Sequence, residues 1–175
     1  MLKFKEKIQR TAASVVFDEY IPFDVNFDFE SIFAPNYWRV GDGRRSLMEI
    51  GLDRDSGAVN SITLTSVNVK NLREISNSYI EYVSEVDGLP TFDLSPWVKQ
   101  ASDDDSSRFI DEFNVDLDLE LGQNYLSVSI IPKVEPVKYI KNSNILFGLG
   151  LDDSLVKIDI IDLSEEDIIA VRNAV

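Results

Sequence analysis

The chain contains no cysteine and no histidine among its 175 residues. Without cysteine there are no disulfides, no thiolate nucleophiles and no Cys-based zinc sites. Without histidine the usual general base near neutral pH is gone, with the commonest nitrogen ligand for metals and every Ser-His or Cys-His nucleophile arrangement. Carboxylates, Lys, Tyr or a Ser-Lys pair are the only catalytic groups left. The inventory therefore leads to the expectation of a protein that is not an enzyme and holds no metal and no cofactor. Also missing is a run of about 18 apolar residues, the length that spans a bilayer. The N-terminus is basic, but "TAASVVF" is broken by Thr and Ser and followed by Asp18 and Glu19, so it does not make the apolar core of a secretion signal. A cytoplasmic protein with no membrane contact is expected.

Acid is what the chain has in excess. The formal net charge is −14, and Met1 to Arg10, "MLKFKEKIQR", contributes +3, so the other 165 residues carry −17. Such a body repels nucleic acid and anionic membrane and speeds encounter with cationic partners. Solubility alone also favours acidity. With 44% hydrophobic, 10% aromatic and 27% charged residues the composition is globular. The length suits a single domain, residues 1–175, able to bury roughly 70% of the surface of its unfolded chain.

The acids concentrate in "FIDEFNVDLDLELG", residues 109–122. Phe109, Phe113, Val115, Leu117, Leu119 and Leu121 alternate with Glu112, Asn114, Asp116, Asp118 and Glu120, which predicts one strand with a buried and a wet face. Same-face carboxylates on a strand stand about 7 Å apart. Parallel side chains do not converge on a cation that needs six or more oxygens, and neither "DRDSG" at 53–57 nor "SDDDSS" at 102–107 has the spacing of a calcium loop. Asp116 and Asp118 stand at a separation that glycosidase carboxylates also use, but so do any two acids at i and i+2, and an open wet face gives neither a raised pKa. The next strand, "YLSVSIIP", offers Tyr125, Ser127 and Ser129 on its wet face and no base. The row therefore faces water or a basic partner. Glu112, Asp116, Asp118 and Glu120, with Asp103, Asp104 and Asp105 of the preceding loop, are the candidate partner-binding residues.

The rest of the chain reads as hairpins. A strand is expected through Val15, Val16 and Phe17. Residues 19–45 read as a long ordered loop with at most one short strand, pinned by Phe23, Phe27, Phe29, Phe33, Tyr37 and Trp38. Aromatics in such a loop cover a core or line a pocket, so a small-ligand site at 23–38 is an alternative. "RRSLMEIGLDRDSGAVNSITLTSV" is the clearest hairpin, with Met48, Ile50 and Leu52 facing one way and Ile62 and Leu64 returning. Residues 68–97 are ambiguous apart from a helical turn at "SPWVKQ", where Ser95 and Pro96 suit the first positions of a helix. "NILFGLGLDDSLVKIDIIDL" is a further hairpin. Ser164, the acids at 165–167 and Arg172 predict a short C-terminal helix. The expected fold is mainly β (α+β): a hairpin-rich antiparallel sheet, curled or sandwiched, with one or two short helices.

"MEIGLDRDSGAVNSITLTSV" followed some twenty residues later by "DGLPTFDLSPW" resembles small bacterial immunity proteins of contact-dependent growth inhibition and other polymorphic toxin systems. The residues that carry the likeness are Glu49, Ile50 and Gly51, then Ser61 to Leu64, then Gly88 to Asp93 and Trp97. The resemblance spans roughly residues 45–97 and implies a stoichiometric inhibitor of a cognate toxin domain, with a basic nuclease as the expected class and no catalytic residues to transfer. A carboxylate-dependent hydrolase is the alternative, favoured if two acids lie buried in one cleft.

Overall fold

The computed structural model describes residues 1–28, 31–77, 85–98 and 105–175. In chain order the strands are β1 (Phe4–Ile8), β2 (Ala13–Val16), β3 (Phe23–Phe27), β4 (Asn36–Gly41), β5 (Leu47–Leu52), β6 (Val59–Ser66), β7 (Leu72–Glu74), β8 (Glu85–Asp87) and β9 (Leu89–Phe92). After α1 (Ser95–Val98) come β10 (Phe109–Glu112), β11 (Asp118–Leu121), β12 (Tyr125–Ser129), β13 (Lys138–Asn142), β14 (Ile145–Leu149), β15 (Leu155–Ile161) and α2 (Glu165–Ala174). The protein is mainly β, with a C-terminal helix, as the patterning predicts.

Two open sheets make the body. A six-stranded sheet runs β10-β4-β5-β6-β3-β2, and a seven-stranded sheet runs β7-β11-β12-β15-β14-β13-β8. β1 and β9 form a separate antiparallel pair. Pairing is antiparallel inside the sheets, as hairpin spacing leads one to expect, but β10 on β4, β7 on β11 and β8 on β13 are parallel. Each parallel strand is short and sits at a sheet edge, where a segment far away in sequence can add without a hairpin.

Alternation explains which faces meet. Met48, Ile50 and Leu52 of β5 and Ile62 and Leu64 of β6 are fully buried, and they join Leu119, Leu126, Val128, Phe147 and Ile158 of the other sheet in one apolar cluster. Phe27 meets Phe147 across the two sheets at 6.1 Å between ring centres. The turn between β5 and β6 is set by Asp53, whose carboxylate accepts from the Asp55 and Ser56 amides and from the Ser56 and Ser31 hydroxyls. Gly57 closes it at φ +76°, where a Cβ would stand 2.2 Å from the Phe92 carbonyl oxygen, so only glycine fits. At the other end of the chain, α2 starts with a reciprocal cap: Ser164 accepts from the Asp167 amide, and Asp167 accepts from the Ser164 amide.

Two expectations are corrected. Residues 19–45 are not one loop: β3 and β4 lie within them, and Phe23, Phe27 and Trp38 are core residues. The alternation of "FDVNF" and "NYWRVG" carries them, and the prolines at 22 and 35 fall just outside the strands. Phe29 lies outside the described residues. Nor is 109–122 one strand: β10 belongs to the six-stranded sheet and β11 to the seven-stranded one, with a turn at Phe113 and Asn114 between them.

Candidate functional site

The break at residues 113–117 scatters the predicted acidic row. The core lies on opposite sides of the two sheets, so the inward parity flips as the chain crosses. In β11, Leu119 and Leu121 point inward as expected. In β10 the parity is reversed. Ile110 and Glu112 share the Trp38 side, and Phe109 and Asp111 face outward in register with Tyr37 and Arg39. Glu112 binds the Met1 amino group beside a small cavity of about 60 Å³ lined by Trp38, Trp97 and Asp93. Asp116 is exposed. Asp118 pairs with Arg73 at 3.2 Å, and Glu120 accepts from the Tyr125 hydroxyl at 2.8 Å. The parallel strand β7 brings in that arginine, a neighbour that inspection of the β11–β12 hairpin alone does not reveal. Asp105 opens a short 3-10 turn, Asp105–Arg108, while Asp103 and Asp104 lie outside the described residues. Of the seven candidates, Asp118 and Glu120 share one face, and Glu112 stands on a different sheet.

That face, the outward side of the seven-stranded sheet, is largely closed. Glu120, Ser127, Asp159, Leu146 and Lys141 form one register row across it. Ser127 is 1% exposed, and Asp159 and Leu146 are fully buried. Neither carboxylate oxygen of Asp159 makes a hydrogen bond of good geometry among the described residues, although the Ser127 and Tyr139 hydroxyls stand near enough to favour its charged form. Burial pushes the Asp159 pKa up, against the pull of Lys157, Ser127 and Tyr139, and the nearby Glu120 charge adds to the rise. Burial together with the hydrogen bond to Glu120 also pushes the Tyr125 phenol up. Two carboxylates of unlike environment do therefore lie together. Asp159, however, has no solvent exposure, so the pair does not open onto a cleft as it stands.

The outward side of the six-stranded sheet is open. Asp111, Arg39, Glu49, Thr63 and Asp24 are aligned by register across five strands, and Phe109, Tyr37, Gly51, Ser61 and Asn26 make the adjacent row. All of these residues except the buried Gly51 retain solvent exposure. The Tyr37 and Phe109 rings stack at 5.3 Å. The Arg39 guanidinium lies 4.6 Å above the Phe109 ring centre and binds Asp111 through two contacts of 2.7 and 2.9 Å. Thr63 and Asn26 both donate to Asp24. Glu49 makes no hydrogen bond or ion pair among the described residues, and partial burial raises its pKa, with Arg39 pulling down and Asp111 pushing up. At Gly51 a Cβ would come within 2.5 Å of Ser61 Oγ, so the middle of the face stays low. Aromatic, guanidinium and carboxylate groups thus lie together on one solvent-exposed face.

Sequence reasoning named Glu49, Gly51 and Ser61–Leu64 only as a signature, although the alternation of "MEIGL" and "SITL" already assigned Glu49, Gly51, Ser61 and Thr63 to the side opposite the core. The break in parity at "FIDE" was the sign that β10 and β11 face different ways. Searches with this sequence find no matching family model and no similar protein among curated ones. Among the described residues no helix is long and apolar enough to cross a membrane.

Proposed function

We propose that the chain is an immunity protein, a stoichiometric inhibitor that binds and occludes a cationic toxin domain in the bacterial cytosol, a basic nuclease being the expected class. The observation that carries this reading is the charge: −14 overall, on a chain with neither histidine nor cysteine. A nuclease presents cations to phosphate, and an acidic protein competes for the same surface with fast, salt-sensitive association. Asp116, exposed and without an ion pair among the described residues, Asp118 beside Arg73 and Glu120 beside Tyr125 belong to the attracting field. The likeness to immunity proteins at residues 45–97 supports the same reading. Apolar and aromatic contacts would set the lifetime of the complex, as charge sets its speed of formation.

The test is co-expression with the protein encoded by the open reading frame directly upstream. Protection of the host cell from that protein, together with inhibition that is complete at one-to-one stoichiometry, is the expected result. A toxic upstream product that this chain neither binds nor neutralises contradicts the proposal.

A further inference from the structure

We propose that the partner docks on the open face of the six-stranded sheet, placing a lysine or arginine against Glu49 and apolar surface over the Tyr37–Phe109 platform. This rests on the inhibitor reading and names the surface it uses.

Four observations lead there. First, Glu49 is partly desolvated yet makes no hydrogen bond or ion pair among the described residues, and the Arg39 guanidinium that acts on it is committed to Asp111 through two contacts. A cation from outside would complete the arrangement. Second, the row carries Asp24, Glu49 and Asp111 against the single Arg39, so it is acidic by composition and complementary to a basic surface. Third, the residue types that dominate binding energy at interfaces, tyrosine and arginine, are already ordered. The Tyr37 ring is stacked on Phe109, and Arg39 is clamped by Asp111 over that same ring. Little side-chain freedom is left to lose when a partner arrives. Fourth, the competing face is closed, since Ser127, Leu146 and Asp159 at its centre are at most 1% exposed.

The geometry gives the contact a definite layout. Gly51 and Ser61 form a low strip between the Tyr37–Phe109 pair and Asn26, bordered by the charged row. A partner side chain that lies on the strip reaches Glu49 on one side and the ring of Tyr37 at the end. An anionic partner, nucleic acid or lipid headgroup would meet three carboxylates and only one engaged arginine.

The experiment measures association and dissociation of the upstream gene product with purified wild type and with Glu49→Lys, Glu49→Gln and Tyr37→Ala. Glu166→Lys, on the exposed side of α2, controls for the change in net charge. Glu49→Lys should weaken binding by at least 100-fold and Tyr37→Ala by at least 10-fold, chiefly through faster dissociation. Glu49→Gln should weaken it by about 10-fold with the shape preserved, and Glu166→Lys by less than 3-fold. Circular dichroism and melting temperatures verify that each variant is folded. If the wild type binds and the face variants bind equally well, the docking surface is elsewhere and the inhibitor reading stands. If the wild type does not bind at all, the inhibitor reading fails and this surface fails with it.

Discussion

The two sheets give matching apolar faces to one core, yet their outward faces are opposites. On the seven-stranded sheet the centre of the outward face is buried, and it contains a carboxylate, Asp159, whose charged form burial disfavours. On the six-stranded sheet the face is open, and Glu49, a partly desolvated carboxylate, is reachable from solvent. A buried unpaired polar group lowers stability by about 1–3 kcal/mol, whereas an exposed one costs little. The first face is thus bound up with stability, and the second is free to be shaped for recognition.

The sharpest contrast is between two neighbours on β4. Trp38 is 1% exposed and points into the core, while Tyr37 lies on the open face. Trp38→Ala should lower stability by about 3–5 kcal/mol and Tyr37→Ala by roughly 1 kcal/mol or less, measured by urea unfolding. Comparable losses would mean that the open face is not open.

Next in size is Asp159→Asn. The folded-state pKa of Asp159 is raised by burial, so the folded protein holds this proton more tightly than the unfolded chain does. Its contribution is fully present below the unfolded-state value and is lost as pH rises through the folded-state value. Asp159→Asn should therefore melt above wild type at pH 7, with the gap narrowing toward pH 4; a gain of about 1 kcal/mol corresponds to roughly 2–4 °C in a chain of this size. A variant that melts lower at pH 7 would show that Lys157, Ser127 and Tyr139 more than offset the burial.

Glu49→Gln has the same sign and a smaller size, within about 0.5 kcal/mol, because Glu49 keeps much of its solvent. Smallest of all is the response to salt. Raising ionic strength to about 0.15 M, where the screening length is near 8 Å, should raise the melting temperature slightly by easing repulsion among the acids. A fall on adding chloride would mean that ion pairs such as Arg39–Asp111 and Arg73–Asp118 outweigh it.

The same contrast governs how much could be read from sequence. Hairpins with clean alternation, β5 with β6 and β14 with β15, were legible because each strand finds its main partner next in the chain. The C-terminal helix was legible from Ser164, the acids after it and Arg172. The edge strands were not, because β7, β8 and β10 take their partners from distant segments. That is why Arg73 beside Asp118 went unseen and why the carboxylates at 112–120 read as one row. Burial on the outward side of the seven-stranded sheet was hidden for a similar reason. Alternation in "YLSVS" marks Tyr125 and Ser127 as outward-facing, but cannot tell whether the outward side is covered.

Because the chain has no cysteine, a single introduced thiol reports on one face at a time. The most direct test compares maleimide labelling of Thr63→Cys, on the open face opposite Glu49, with Ser127→Cys, on the closed one, free and in complex with the upstream gene product. The account predicts that Thr63→Cys labels rapidly in the free protein and is strongly protected in the complex, while Ser127→Cys labels slowly in both. Equal labelling of Thr63→Cys with and without the bound partner would contradict it.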